Sequence, residues 1–159
     1  MKSLLRFLLA SVIALGCLVA GSQTNPPLSI SVRAVQPFYK VGNDVSIEIR
    51  LTNNLSHDLN TSANISDLTG VDPNYAFDVR DKSGKPVPLR SYKNREFATG
   101  RAIFDVLKSG ETVTRIQTIS RVFDLSQPGE YTVQVGRRST DNPKERLMKS
   151  NTITVTVTQ

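Results

Sequence analysis

Leu125-Ser126-Gln127-Pro128-Gly129-Glu130-Tyr131-Thr132-Val133-Gln134-Val135 decides how this chain is read. Pro128 and Gly129 form a turn, since proline presets one backbone angle and glycine accepts the other. Directly after it, Tyr131, Val133 and Val135 alternate with Thr132 and Gln134. Period-two alternation places one face of a strand on a core and the other in water. The C-terminal run Ile153-Thr154-Val155-Thr156-Val157-Thr158 repeats the pattern, with Thr152, Thr154, Thr156 and Thr158 on its polar side.

Working back along the chain, the same signal recurs. Leu28 to Val35 alternates, and so does Val45 to Thr52, where Val45, Ile47, Ile49 and Leu51 face one way. Asn53-Asn54 ends that run, a break expected of a residue that tolerates left-handed turns. His57 to Ile65 reads as a short irregular strand, and Tyr75 to Arg80 as a regular one. Asp81-Lys82-Ser83-Gly84 and Lys108-Ser109-Gly110-Glu111 are tight turns. Between them lie a return strand, Val87 to Tyr92, carrying Pro88, a polar loop, Lys93 to Arg101, and a short strand, Ala102 to Leu107. Thr112 to Val122 is a strand in which Val113 and Ile116 share a face only through a bulge. Turn signals at this spacing, with no helical periodicity, give an all-β chain of about eight strands in an antiparallel two-sheet sandwich.

The first residues have the three-part layout of an export signal: Lys2 and Arg6, an apolar stretch from Phe7 to Ala20, then the small residues Ala20, Gly21 and Ser22. The apolar stretch is roughly 14 residues, short of the ~20 that span a bilayer as a helix. Residues 1–22 are therefore expected to form a signal peptide helix that is removed, leaving 23–159 as one soluble domain with no retained span. Cys17, within Ala14-Leu15-Gly16-Cys17, offers lipidation as a second route. Without Cys17 the domain has no cysteine, because the chain has one in all. Its compartment, periplasmic or extracellular, would permit disulfides, but it cannot form one.

Composition argues against several chemistries. The chain has 20 Lys and Arg against 14 Asp and Glu; without Lys2 and Arg6 the balance is 18 to 14, or +4. That is a mild excess and not the basic stripe that nucleic-acid binding needs. His57 is the single histidine. No nucleophile motif or glycine-rich phosphate loop accompanies it, so no catalytic residue is assigned and the chain reads as a non-enzyme. One histidine and no retained cysteine do not make a zinc site. Asp67, Asp72 and Asn74 share a loop, but their spacing matches no calcium loop. No metal or cofactor is expected. Asn54, Asn60 and Asn64 head Asn-x-Ser sequences that would accept glycans only in a eukaryotic secretory pathway.

Two resemblances follow from these residues. Leu125 to Tyr131 resembles the corner before the penultimate strand of immunoglobulin-like domains, including fibronectin type III. The resemblance implies that Pro128, Gly129 and Tyr131 form a structural corner, with the Tyr131 hydroxyl bonded to the upstream backbone. The Pro-Gly pair lies one residue nearer the tyrosine than in fibronectin domains, and the chain has no tryptophan. The fold is thus implied more firmly than that family. Over roughly Val45 to Val135, the ordered phrases Leu51-Thr52-Asn53-Asn54, Tyr75-Ala76-Phe77-Asp78-Val79-Arg80-Asp81-Lys82-Ser83-Gly84-Lys85, Leu107-Lys108-Ser109-Gly110-Glu111 and Pro128-Gly129-Glu130-Tyr131 look like the layout of BsuPI-type proteinase inhibitors. That family implies proteinase inhibition, although no inhibitory loop is matched residue by residue.

The segment Arg137 to Ser150 is the candidate interaction surface. Arg137, Arg138, Lys144, Arg146 and Lys149 stand against Asp141 and Glu145, with Leu147 and Met148 beside them. A second basic segment holds Arg90, Lys93, Arg95 and Arg101. Such loops suit an acidic protein or envelope-surface partner. Three functions are consistent with this reading: an exported binding module, in its sharper form a proteinase inhibitor; a structural subunit that pairs through an edge strand such as the threonine-rich one; or a carbohydrate-binding module, disfavoured by the missing tryptophan.

Overall fold

The computed structural model describes residues 26–60, 63–66, 72, 74–91, 100–103, 105–138 and 147–159. The expected signal peptide, Cys17, Lys93, Arg95, Lys144 and Arg146 lie outside them. The described chain is all-β. β1 (Leu28–Ala34), β3 (Ser46–Asn53) and β9 (Thr112–Thr118) form one sheet in the order β1-β3-β9. β2 (Phe38–Lys40), β6 (Tyr75–Asp81), β10 (Gly129–Arg137) and β11 (Met148–Thr158) form another in the order β2-β11-β10-β6.

Two short pairs complete the described structure. β4 (Leu59–Asn60) pairs with β8 (Val106–Leu107), and β5 (Ala63–Ser66) with β7 (Gly100–Ile103). The partners Leu59↔Leu107 and Ala63↔Ile103 hold the same register. No strand forms over Val87–Ser91. Residues 86–91 make the isolated bridges Arg80↔Pro86 and Leu89↔Phe123, and Pro86 and Pro88 each lack a ladder donor.

The alternating runs account for the core. Ile47, Ile49 and Leu51 from β3, Tyr131, Val133 and Val135 from β10, and Val155 and Val157 from β11 belong to one buried cluster. β1 adds Leu28, Ile30 and Val32 to it.

One pairing departs from the antiparallel expectation. After β1 pairs antiparallel with β3, the chain bends through Val35-Gln36-Pro37 and β2 runs parallel to the end of β11. Tyr39 is buried there, and its hydroxyl donates to the Ser46 carbonyl. The first edge of the chain therefore contributes to both sheets. The parallel pairing also encloses the threonine-rich strand. β11 lies between β10 and β2, so it is not an edge where β2 covers Thr156–Thr158.

β9 also differs from expectation. Its register with β3 is unbroken and contains no bulge. Val113, Arg115 and Gln117 face inward, while Ile116 points out and is 61% exposed. The period is two, but Arg115 and Gln117 take inward positions and Ile116 an outward one. Beyond Thr118 a 3-10 turn, Ile119–Arg121, replaces the rest of the expected strand.

Turn chemistry follows the residues. Gly84 and Gly110 have φ of 80° and 74°, values that residues with a Cβ adopt only at a cost. Asn53 behaves otherwise: among the described residues only glycines have positive φ. It ends β3 through its side chain, which bonds the Leu55 N–H and the His57 and Leu107 carbonyls.

At the quoted corner, the Tyr131 hydroxyl donates to the Gln127 carbonyl at 2.7 Å. Tyr131 is buried, and its neighbour Gly129 opens β10. Tyr131→Phe keeps the ring and removes that bond. It is expected to cost about 1 kcal/mol in urea unfolding, with an unchanged m-value.

The outer face of the β1-β3-β9 sheet holds an ionic cluster. Arg33 reaches Glu48 through Nε at 2.8 Å and also through Nη2, and Arg50 Nε donates to the same carboxylate at 2.9 Å. The Arg33 hydrogen bond, together with Arg50, holds the Glu48 carboxyl at about 2, well below its ordinary 4.5. A depressed carboxyl stabilises the fold above the unfolded value, and that contribution disappears as pH falls through 4.5 toward about 2. In thermal melts the gap between wild type and Glu48→Gln is expected to be widest above pH 4.5 and to close toward pH 2. A gap independent of pH would refute this.

Candidate functional site

Register brings three strand ends together. Arg137, the last residue of β10, lies opposite Tyr75, the first of β6, and opposite Met148, the first of β11. Asp72 and Asn74 before β6, Arg138 after β10 and Leu147 before β11 therefore lie at one end of this sheet.

Arg137 sits at the centre of this end, and its position corrects the sequence reading. It is a strand residue rather than a loop cation, and its side chain is only 7% exposed. Its Nη1 donates to Asp72 Oδ2 at 3.2 Å, and Asp72 is itself fully buried. The guanidinium also lies over the Tyr75 ring, 4.8 Å from Cζ to the centroid. A buried arginine needs such partners, because removing its hydration is costly unless a carboxylate replaces the water. Alternation along β10 carried the signal: Tyr131, Val133, Val135 and Arg137 share a parity, which puts Arg137 on the inner side.

Neighbouring polar groups complete the arrangement. The Asp72 backbone N–H donates to Gln117 Oε1 at 3.1 Å, and Asp72 Oδ1 accepts the Asn74 N–H at 3.0 Å. Arg115, next along the inward face of β9, donates to Asp105 Oδ2 at 3.0 Å. Both polar inward residues of β9 are thereby committed. Burial raises the Tyr75 hydroxyl pKa above its ordinary value, while the nearby Arg137 charge works against that shift. The Tyr75 hydroxyl makes no hydrogen bond among the described residues. Asp72, once grouped with Asp67 and Asn74 as possible cation ligands, is paired with Arg137. Among the described residues no three His, Cys, Asp or Glu side chains converge as metal ligands.

The remaining candidate residues lie further out. Arg138 and Lys149 are exposed, the first just after β10 and the second within β11. Leu147 and Met148, expected at the surface, are half-buried. Met148 packs on the core cluster, and Leu147 covers Gly136 so closely that a Cβ there would fall 2.7 Å from Leu147 Cδ2. The β10–β11 connection is consequently shorter than Arg137 to Ser150. Arg90 is exposed, and Arg101 lies in β7. Among the described residues no helix is long and apolar enough to cross a membrane.

No protein-family model and no curated protein matches the chain. It is similar at low identity to several solved structures. One is the Pseudomonas fluorescens alkylpurine DNA glycosylase AlkC bound to DNA containing an abasic site analog, at 11% identity and a TM-score of 0.42, covering 82% of this chain and 30% of that one. Another is a β-glucosidase from Listeria innocua in complex with glucose, at 14% identity and a TM-score of 0.38, covering 82% and 16%. A third is AvmM, described as catalysing macrocyclization in alchivemycin A biosynthesis, at 10% identity and a TM-score of 0.32, covering 82% and 87%. The chain spans less than a third of the first two, and likenesses this slight assign it no activity.

Proposed function

We propose that this chain is an exported, non-catalytic immunoglobulin-like sandwich module that holds an acidic protein or envelope-surface partner on the loops gathered where β6 begins and β10 ends. The fold part of this reading is supported by the first edge, which pairs with β3 and then, as β2, runs parallel to β11. The Tyr131–Gln127 corner at the start of β10 supports it as well.

The observation that carries the binding part is the Asp72–Arg137 ion pair. It joins the segment entering β6 to the root of the β10–β11 connection. A tied base of this kind gives adjoining loops a fixed platform, the arrangement by which rigid scaffolds present recognition residues. Arg137 is paired with Asp72, and the rest of this connection carries Arg138, Lys144, Arg146 and Lys149 against Asp141 and Glu145 in sequence. The surplus remains positive and suits an acidic surface.

Affinity capture from the envelope fraction tests this reading, with wild type compared to a variant carrying glutamate at positions 138, 144, 146 and 149. The wild type should retain a partner that the variant loses and that high salt releases. An identical capture profile for both proteins ends the proposal. The sharper form, proteinase inhibition, is tested against subtilisin-like and trypsin-like enzymes; no inhibition at micromolar concentration removes it.

A further inference from the structure

We propose that the edge of β9 opposite β3, open among the described residues, pairs antiparallel, across a two-fold axis, with β9 of a second copy of this chain. The inference rests on sheet order and is independent of the loop reading above. The two larger sheets end in four outer strands: β1, β9, β2 and β6. Sheet edges left open recruit other chains, so proteins shorten, cover or charge them.

Three of the four are managed in that way. β1 lies along β11, where the Asn151 side chain stands in for a peptide unit. Its Oδ1 accepts the Val32 N–H and its Nδ2 donates to the Val32 carbonyl, both at 2.9 Å. β6 is covered over its second half by the returning chain, with Val87 N–H bonded to the Val79 carbonyl and Asp81 N–H to the Lys85 carbonyl. β2 has three residues, closed off by Pro37 and the Gly42 turn.

Among the described residues β9 has none of these devices. It is seven residues long and, among the described residues, pairs only with β3. Thr112-Val113-Thr114-Arg115-Ile116-Gln117-Thr118 contains no proline, lysine or bulge, and β-branched residues dominate it. Its one charge, Arg115, is turned inward onto Asp105. Its outward row is Thr112, Thr114, Ile116 and Thr118, neutral throughout, with Ile116 61% exposed.

Those features favour a second copy as the occupant. Residues directly opposite in an antiparallel pair share a face, so a two-fold register must be centred on a residue. Centring on Arg115 would set like charges against each other, which is destabilising. Centring on Ile116 sets Ile116 against Ile116, Arg115 against Gln117 and Thr114 against Thr118. The exposed isoleucines then bury one another, and the closed two-fold contact leaves no edge for further growth.

Sedimentation or light scattering of the purified protein across concentration, up to about 1 mM, is the test. Wild type should show a monomer–dimer equilibrium. Ile116→Lys, which places two ammonium groups at the axis, should weaken the dimer about tenfold or more while leaving the circular dichroism spectrum unchanged. Val106→Lys, at another exposed apolar residue (56% exposed), should leave the dimer intact. A wild type that stays monomeric overturns the inference. So does a dimer that Ile116→Lys does not weaken, or one that Val106→Lys weakens equally.

Discussion

Arg137→Ala is expected to lower unfolding stability by about 3–5 kcal/mol, because it leaves the Asp72 carboxylate buried without its cation. The Arg137 side chain is 7% exposed and that of Asp72 1%, so water cannot replace the lost partner without opening the structure. The Tyr75 ring would also lose the guanidinium above it. A double variant separates charge from packing. Asp72→Asn keeps an oxygen for the Asn74 N–H, and Arg137→Met keeps an apolar stem of similar length. Together they should regain much of the loss, since buried ion pairs are commonly no better than well-packed neutral groups. Urea midpoints of both single variants and the double give the coupling directly. A loss below about 1 kcal/mol for Arg137→Ala would mean that the pair is effectively solvated.

Asn53→Ala is expected to cost about 3 kcal/mol, far more than its small volume suggests. Asn53 is 0% exposed, yet every part of its amide is engaged. Nδ2 donates to the His57 carbonyl at 2.9 Å and to the Leu107 carbonyl at 3.0 Å. Oδ1 accepts the Leu55 N–H at 2.9 Å. The side chain closes the turn after β3 and joins it to the end of β8. Removing it takes the partner from the Leu107 carbonyl in a buried bond and from the His57 carbonyl and Leu55 N–H in part-buried ones; a buried group left unsatisfied costs about 1–3 kcal/mol and a part-buried one less. The neighbour provides the control. Asn54 is exposed, with its Nδ2 on the Pro26 carbonyl and Ser29 Oγ. Asn54→Ala should cost about 1 kcal/mol or less. Equal losses at the two positions would contradict this account.

These two sites also mark where sequence reading ends. β3, β10 and β11 were legible because branched apolar residues fell on one parity and polar ones on the other. β9 is legible as a strand beginning at Thr112 but not in its facing, because Arg115 and Gln117 occupy the inward parity and Ile116 the outward one. Their partners, Asp105 and the backbone of Asp72, follow from tertiary structure and not from local pattern. β2 was missed for a related reason: three residues between Pro37 and a glycine turn carry no periodic signal, and only β11, more than a hundred residues onward, makes them a strand. Arg137 was assigned to a loop because a charge was presumed to be solvated. Its parity with Tyr131, Val133 and Val135 pointed inward, but Asp72 lies 65 residues away in sequence. At Asn53 the break was legible and its mechanism was not, since an amide can end a strand by backbone angle or by hydrogen bonding.

The distinction between Arg137 and its neighbours is central to the functional proposal. Arg137 is paired with the buried Asp72, and partner binding is proposed for Arg138, Lys144, Arg146 and Lys149 instead. Calorimetric titration of the captured partner into wild type and into the variant with glutamate at 138, 144, 146 and 149 tests this most directly, with melting temperatures recorded alongside. The account predicts at least about a tenfold loss of affinity, diminishing as salt is raised, with the variant still melting cooperatively as a folded protein. Equal affinity for both proteins would contradict it.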